Sequence, residues 1–216
     1  MHIDKIRKIA IEGELFTTEQ FDQHRRQWLA GGGSVDDGVG FVRELTQCGE
    51  LTDFQAAALR AGIPGPYRLG PFRVTGRLLA GRLGNVFRAE HVESNQPVSL
   101  KIFPAALGRS RERLARLGRE TRIALEVDHL HVVKAFQVGR VGEVTFIAFE
   151  ELTGGTLQQR LERDTKLPYI EACQLIQQAA LGLGYLRAQV IIHRAICPAN
   201  LWVTENGLVK IMEFGA

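Results

Sequence analysis

Short amphipathic stretches make up the N-terminal part of the chain. Thr17 is followed three residues later by Gln20, and Thr52 is followed in the same way by Gln55. In such a capping box the two side chains satisfy backbone N–H groups at the start of a helix. Each box follows a Gly-Glu-Leu tripeptide, so the pattern predicts a degenerate repeat of a helix-turn-helix unit, with the flexible segment 31–34 between its halves. The apolar positions that could cover its small helical core are Phe41, Val42, Leu45, Leu51, Phe54, Ala58 and Leu59.

The period of the apolar positions changes after residue 70. Residues 72–75, 85–91 and 98–103 are rich in β-forming residues and predict three strands. On the third strand Lys101 lies on the same face as Ser99 and opposite an aliphatic stripe, because successive side chains of a strand point to opposite faces. The later part of the chain predicts helices at about 156–163 and 168–188, and then a β-hairpin.

An arginine-rich helix is predicted over residues 109–126. Leu117, Glu120 and Ala124 lie at positions i, i+3 and i+7, so the carboxylate of Glu120 is on an apolar face. Because burying an unpaired charge is costly, Glu120 is expected to pair with a cation. The arginines are interleaved with glutamates, so a solvated face is favoured over a basic patch for RNA or an acidic partner.

Composition narrows the class of protein. The 216 residues allow one or two domains with a sizeable core, and a hydrophobic content of 45% is ordinary. The chain has no apolar run of about 18 residues and no N-terminal secretory pattern, so neither a membrane span nor export is predicted. Three scattered cysteines (Cys48, Cys173 and Cys197) favour reduced thiols and a cytoplasmic location. A net charge of only +3 does not call for nucleic acid as a partner.

Residues 191–200 carry the most informative motif, Ile-Ile-His-Arg-Ala-Ile-Cys-Pro-Ala-Asn. The segment resembles the catalytic loop of Ser/Thr protein kinases, H-R-D-L-K-P-x-N. Ala195 stands where the family has the aspartate that accepts the substrate hydroxyl proton, and Cys197 stands where it has a phosphate-side lysine. Alanine neither accepts a proton nor orients a hydroxyl. The positions that match the family are His193, Arg194, Pro198 and Asn200.

Other kinase landmarks follow one another in the family's order. Residues 78–87 resemble the Gly-rich phosphate loop, with Leu79 in place of its first glycine. Lys101 matches the phosphate-contacting lysine, and Glu120 stands at the position of the helix-C glutamate, so the resemblance implies that the two form an ion pair. The remaining matches are the turn at 129–133, the hinge and following turn at 149–155, and residues 210–215, in which Glu213 replaces the D-F-G aspartate.

Over about residues 70–216 the chain therefore resembles bacterial, planctomycete-type Ser/Thr protein kinases. The resemblance implies an α+β, protein-kinase-like fold with a β-rich N-lobe and a partial helical C-lobe, preceded by a small all-α extension. The extension is expected to be either a docking module or a packing element that shields part of the N-lobe. The expected boundaries are 1–63 for the extension, 64–71 for a linker, 72–149 for the N-lobe, and 150–216 for the hinge and partial C-lobe.

The resemblance also implies where ligands would bind. Asn200 and Trp202 have the same parity on one short strand, so both are expected to face the cleft, with the Trp202 indole under the position of adenine. Phe149 at the gatekeeper position and Met212 are expected to narrow the same space. Asn200 and Glu213 are the metal ligands if Mg²⁺ binds. The nucleotide-binding positions, if a nucleotide binds, are Gly81, Gly84, Val86, Ser99, Lys101, Glu120, Glu150 and Leu152.

These substitutions imply a pseudokinase, a signalling module that is not an enzyme and acts by binding a protein, either an active kinase or a second copy of itself. No cofactor is expected to be required, and ATP with Mg²⁺ is a doubtful ligand. One alternative is residual ATP binding or weak Ser/Thr kinase activity that uses Glu213 and Asn200. Another is a truncated kinase fragment without independent function.

The chain ends directly after the D-F-G-like segment, where the family continues with an activation segment and further helices. The resemblance therefore implies an uncovered apolar stripe on the helix at about 168–188. This stripe is expected to be an association surface, and its residues are Leu175, Ile176, Ala179, Leu183 and Leu186.

Overall fold

The computed structural model describes residues 1–65, 67–81, 84–103, 123 and 125–213. Two compact units account for the chain. The first comprises Met1–Leu79 and Phe87–Pro97, and the second comprises Ala80–Val86 and Val98–Ala216. The predicted helix over 109–126 lies almost wholly outside the described residues, together with Glu120.

Four helices open the first unit: α1 (Ile3–Glu12), α2 (Thr18–Ala30), α3 (Gly38–Gln47) and α4 (Asp53–Ala61). Both predicted capping boxes are confirmed, since Thr17 with Gln20 caps α2 and Thr52 with Gln55 caps α4. Each box follows a ten-residue helix and a Gly-Glu-Leu turn, as the predicted repeat requires.

The four helices share one apolar core. The predicted core positions are buried, with the exception of Phe54, which is only half-buried and packs edge-on against Phe87 at a centroid distance of 6.0 Å. Helix α1 contributes a stripe that the prediction did not include. The residues at the centre of the core are Ile3, Ile6, Phe21, Phe41, Val42 and Leu59.

The first unit also contains β1 (Arg68–Leu69) and most of β2 (Phe72–Gly81) and β3 (Gly84–His91), which are neighbours in that order. The end of β2 and the start of β3 belong to the second unit. Helix α4 is joined to β2 by the side chains of its own capping box. The Thr52 hydroxyl donates to the carbonyl of Thr75 at 2.7 Å, and the Gln55 amide donates to the carbonyl of Val74 at 2.7 Å. The second capping box therefore serves a tertiary contact as well as the helix start.

Because the amide of Gln55 is buried and that of Gln20 is exposed, the same substitution is expected to affect stability differently at the two positions. Replacement Gln55→Glu keeps an acceptor for the Thr52 N–H but removes the donor to Val74 and buries a carboxylate, so we expect it to lower the free energy of unfolding by about 2 kcal/mol. The matched change Gln20→Glu alters an exposed side chain and should cost less than about 0.5 kcal/mol. Urea denaturation of both variants measures the contrast, and equal losses would contradict the tertiary role of Gln55.

The second unit begins with three antiparallel strands, β4 (Pro97–Phe103), β5 (Ala135–Val141) and β6 (Val144–Phe149), in the order β4-β6-β5. Ser99 pairs with Phe149, and Lys101 pairs with Ile147. The predicted parity of β4 is confirmed, because the Lys101 ammonium lies 5.0 Å from the ring centroid of Phe103, two residues along the same face.

The rest of the second unit is a small sheet with two helices. The sheet contains β7 (Gly155–Thr156), β8 (Leu201–Val203) and β9 (Val209–Ile211), in that order. The helices are α5 (Leu157–Asp164) and α6 (Tyr169–Ala188), close to the predicted bounds, and a 3₁₀ turn (Pro198–Asn200) precedes β8.

The expectation for the apolar stripe of α6 is wrong in most of its residues. Leu175, Ala179 and Leu186 are buried, and Ile176 is the one member of the five that is exposed, at 56%. The helix packs closely because Gly182 is small: a Cβ at this position would lie 2.7 Å from the carbonyl oxygen of His131. The predicted stripe is thus mainly a core face, which packs against β9 of the small sheet.

None of the helices in the described part of the chain combines the length and the apolar character needed to cross a membrane.

Candidate functional site

The loop over residues 191–200 is held in place by its side chains. His193 is buried, its Nε2 donates to the carbonyl of Met212 at 2.8 Å, and its Nδ1 accepts from the N–H of Ala195 at 3.2 Å. Burial lowers the pKa of His193, so the ring is neutral at neutral pH and can donate on one side while accepting on the other. Arg194 has φ of 63°, a left-handed conformation that a side chain rarely adopts without surrounding constraint.

Asn200 connects the centre of this loop to the segment that follows β9. Its side-chain amide donates to the carbonyl of Ala195 at 2.7 Å, and its own carbonyl accepts from the N–H of Met212 at 2.9 Å. At the centre of the loop the methyl group of Ala195 offers neither an acid nor a base. The bonds of His193 and Asn200 thus hold the loop around a residue whose side chain has no proton chemistry.

The ammonium group of Lys101 is buried and lies 2.5 Å from the Oε1 atom of Glu213. Glu213 has φ of 60°, in the left-handed region. The predicted partner, Glu120, lies outside the described residues, so the ion pair of Lys101 with Glu120 stays a prediction. Among the described residues the carboxylate that neutralises Lys101 is that of Glu213, the position expected to hold a metal.

Ser99 and Leu152, both expected to contact a nucleotide, bond to each other. The Ser99 hydroxyl accepts from the backbone N–H of Leu152 at 3.0 Å. The two residues are 0% and 1% exposed, so this amide is satisfied inside the protein. A ligand that needed the same donor would have to displace the hydroxyl.

The carboxylate of Glu150 also has its partners within the protein. Its carboxylate accepts from the Lys210 ammonium at 2.7 and 2.9 Å, and it also accepts from the N–H of Lys134 at 2.9 Å. Sequence reasoning missed this ion pair, because Glu150 and Lys210 are 60 residues apart and neither lies in a pattern that signals a partner.

Trp202 is 1% exposed and lies on β8 between β7 and β9, opposite Thr156 and Lys210. Its indole N–H donates to the carbonyl of Thr153 at 2.6 Å, in the segment that follows β6. The shared-strand prediction for Asn200 is wrong, since Asn200 ends the 3₁₀ turn and β8 starts one residue later. A turn does not alternate its side chains as a strand does.

The other predicted site residues lie as follows. Phe149, at the end of β6, and Met212, directly after β9, are both buried. Gly81 ends β2 and Gly84 begins β3, where Val86 is buried. Within the described ranges no group of three or more His, Cys, Asp or Glu side chains is placed to hold a metal ion.

Comparison with known proteins identifies the fold that this loop belongs to. The profile of the family described as "Protein kinase domain" matches residues 72–216, about two thirds of the chain. The chain therefore belongs to the protein kinase domain family. The kinase domain of PknI from Mycobacterium tuberculosis has a similar structure, with a TM-score of 0.61 at 23% identity over 68% of this chain and 61% of that chain.

Curated relatives include bacterial Ser/Thr kinases. PknA of Corynebacterium glutamicum is 32% identical over 140 residues, which are 62% of this chain and 30% of PknA. PrkC of Bacillus subtilis is 28% identical over 153 residues, which are 71% of this chain and 23% of PrkC. The chain thus spans less than a third of the length of these relatives.

Proposed function

We propose that this chain is a pseudokinase module of the bacterial, planctomycete-type kinases, which acts by binding a protein rather than by transferring phosphate. The observation that carries the proposal is Ala195, which lies in a loop whose His193 and Asn200 bonds are intact. Because the scaffold is kept while the base is absent, the loop favours a structural role over catalysis.

Internal pairing of the ligand-binding positions supports the proposal. The Leu152 amide is bonded to Ser99, the Lys101 ammonium is bonded to Glu213, and the Glu150 carboxylate is bonded to Lys210. The Leu152 amide has one donor, so it would have to give up Ser99 before it could contact a nucleotide. The Lys101 and Glu150 charges are already neutralised by protein partners, which weakens their attraction for a charged ligand. This competition disfavours ATP and Mg²⁺ as ligands, and no cofactor is needed for a binding role.

The second candidate is a weak kinase that binds ATP. It is favoured by Glu213, which keeps a carboxylate at the metal position, and by Asn200, which keeps the amide at the other. A truncated fragment without independent function is the third. We further propose a cytoplasmic location, since the three cysteines are free and exposed.

Wild-type protein is expected to show no thermal stabilisation by millimolar ATP, with or without Mg²⁺. A ligand present at 100 times its Kd would add about 2.7 kcal/mol, which a thermal unfolding curve detects easily. The double variant Ser99→Ala, Trp202→Leu frees the Leu152 amide and removes the indole, so it should gain an ATP-dependent shift.

The control is the melting curve of each variant without nucleotide, because Trp202 is buried and its truncation also lowers stability. A folded double variant whose melting temperature does not rise with ATP would contradict the idea that Ser99 and Trp202 prevent nucleotide binding. Micromolar ATP binding by the wild type would contradict this idea too, and would favour the weak-kinase candidate.

A further inference from the structure

The two helical repeats present the same side chains to different surroundings. Gln55 is 2% exposed, because β2 lies against the second capping box, whereas Gln20 at the equivalent position is exposed. Thr52 and Gln55 both donate to carbonyls of β2. Among the described residues no acceptor is recorded for the Thr17 hydroxyl or the Gln20 amide, which make only their bonds within the capping box.

A cleft of about 520 Å³ lies at the first capping box, within the first unit. Thr17, Gln20 and Arg68 of the short strand β1 are among the residues that line it. Arg68 donates to the carbonyl of Gly70, and no carboxylate in the described part of the chain forms an ion pair with it. Arg73 and Glu90, which also line the cleft, pair with each other at 2.9 Å.

We propose that this cleft is a docking site for an extended polypeptide segment of a partner protein. The segment would accept hydrogen bonds from Thr17 and Gln20 through two successive main-chain carbonyls, as β2 does from Thr52 and Gln55. A carboxylate on the same segment would pair with Arg68. The occupant follows from the second repeat, where the same capping box binds a strand and not a helix or a small anion.

This arrangement follows a general mode of peptide recognition, in which main-chain hydrogen bonds supply affinity that depends little on sequence. The two repeats then bind different strands. The capping box of the second repeat binds β2 of the same chain, and that of the first repeat binds a strand of the partner. The inference concerns residues of the first unit and stands whether or not the chain transfers phosphate.

The test uses a peptide that the equivalent site already binds within the chain. This is the capped octapeptide of residues 71–78, Pro-Phe-Arg-Val-Thr-Gly-Arg-Leu, which contains the two acceptor carbonyls. Titrated to millimolar concentration into the full ¹⁵N-labelled chain, it should cause saturable shifts of the amide signals of residues 17–20. The capped peptide carries no carboxylate, so it tests the main-chain hydrogen bonds and not the ion pair with Arg68.

The variant Gln20→Glu keeps the acceptor of the capping box but replaces the amide donor with a carboxylate, so it should weaken binding by at least about fivefold. The matched control is Gln23→Glu, which makes the same charge change at an exposed position of α2 that does not line the cleft. It should change affinity less than about twofold.

Three results would overturn the proposal. The first is an absence of shifts in wild type, and the second is equal affinity of wild type and Gln20→Glu. The third is a response confined to residues 52–55, which would mean that the peptide displaces β2 from its own site. Unchanged spectra of the free variants establish that neither substitution disturbs the fold.

Discussion

Purified wild-type protein is expected to transfer no phosphate from ATP to itself or to a general protein substrate. Loss of a general base is worth roughly 100- to 10,000-fold in rate, and Ala195 removes that base. Cys197 removes the phosphate-side lysine as well, and the Glu213 carboxylate is engaged with Lys101. The measurement is time-dependent incorporation of ³²P.

The control for this experiment is Lys101→Ala. Incorporation that is seen in wild type and disappears in Lys101→Ala would contradict the pseudokinase proposal, because it would require a working nucleotide site in this chain. Incorporation that persists in the variant comes from a co-purifying kinase instead. The two outcomes are distinguishable without a known physiological substrate.

Replacement Lys210→Met is expected to lower the free energy of unfolding by about 2–4 kcal/mol. Lys210 is 8% exposed and makes two contacts with the carboxylate of Glu150, so its removal leaves that charge largely buried without its cation. Breaking a buried pair on one side costs about 3–5 kcal/mol, and partial exposure of Glu150 places the effect toward the lower end.

A double-mutant cycle with Glu150→Gln isolates the pair, since the double variant should recover part of the loss. The matched surface control is Lys134→Met, whose ammonium contacts Asp128 at 2.9 Å with both side chains substantially exposed. It should cost less than about 1 kcal/mol. Equal losses in Lys210→Met and Lys134→Met, measured by urea denaturation, would show that the buried pair has no special weight.

Predictions that depended on short stretches of sequence agree with the structure. The capping boxes at Thr17 and Thr52 form because the hydroxyl and the amide lie within one turn of each other whatever surrounds them. The parity of Lys101 on β4 follows from the pleat of a single strand. The helix at Tyr169–Ala188 is 20 residues long and contains apolar residues at helical spacing, such as Leu175, Ala179 and Leu186, so a local stretch is enough to predict it.

Two predictions were less successful. One needed the exact start of a strand, and the other needed to know which element packs against a helix. Asn200 was predicted to lie on the same strand as Trp202, but it ends a 3₁₀ turn and the strand starts one residue later. The face of α6 was assigned by analogy to an uncovered surface, whereas Gly182 lets the helix approach the segment at His131 and bury Leu175 and Leu186. An apolar face on a helix predicts that the face is buried, but it does not identify the element that packs against it.

The sequence by itself determined the protein kinase domain family, the alanine at position 195 of the loop, and the repeated helical unit, because each is a property of residue identity and local spacing. Only the tertiary structure decided which groups neutralise one another. It paired Glu150 with Lys210, bonded Ser99 to Leu152, and placed β2 against Gln55 while leaving Gln20 exposed. These contacts depend on which distant segments pack together. The free energy of burying a polar group depends on whether such a segment supplies a partner, far more than on its neighbours in sequence.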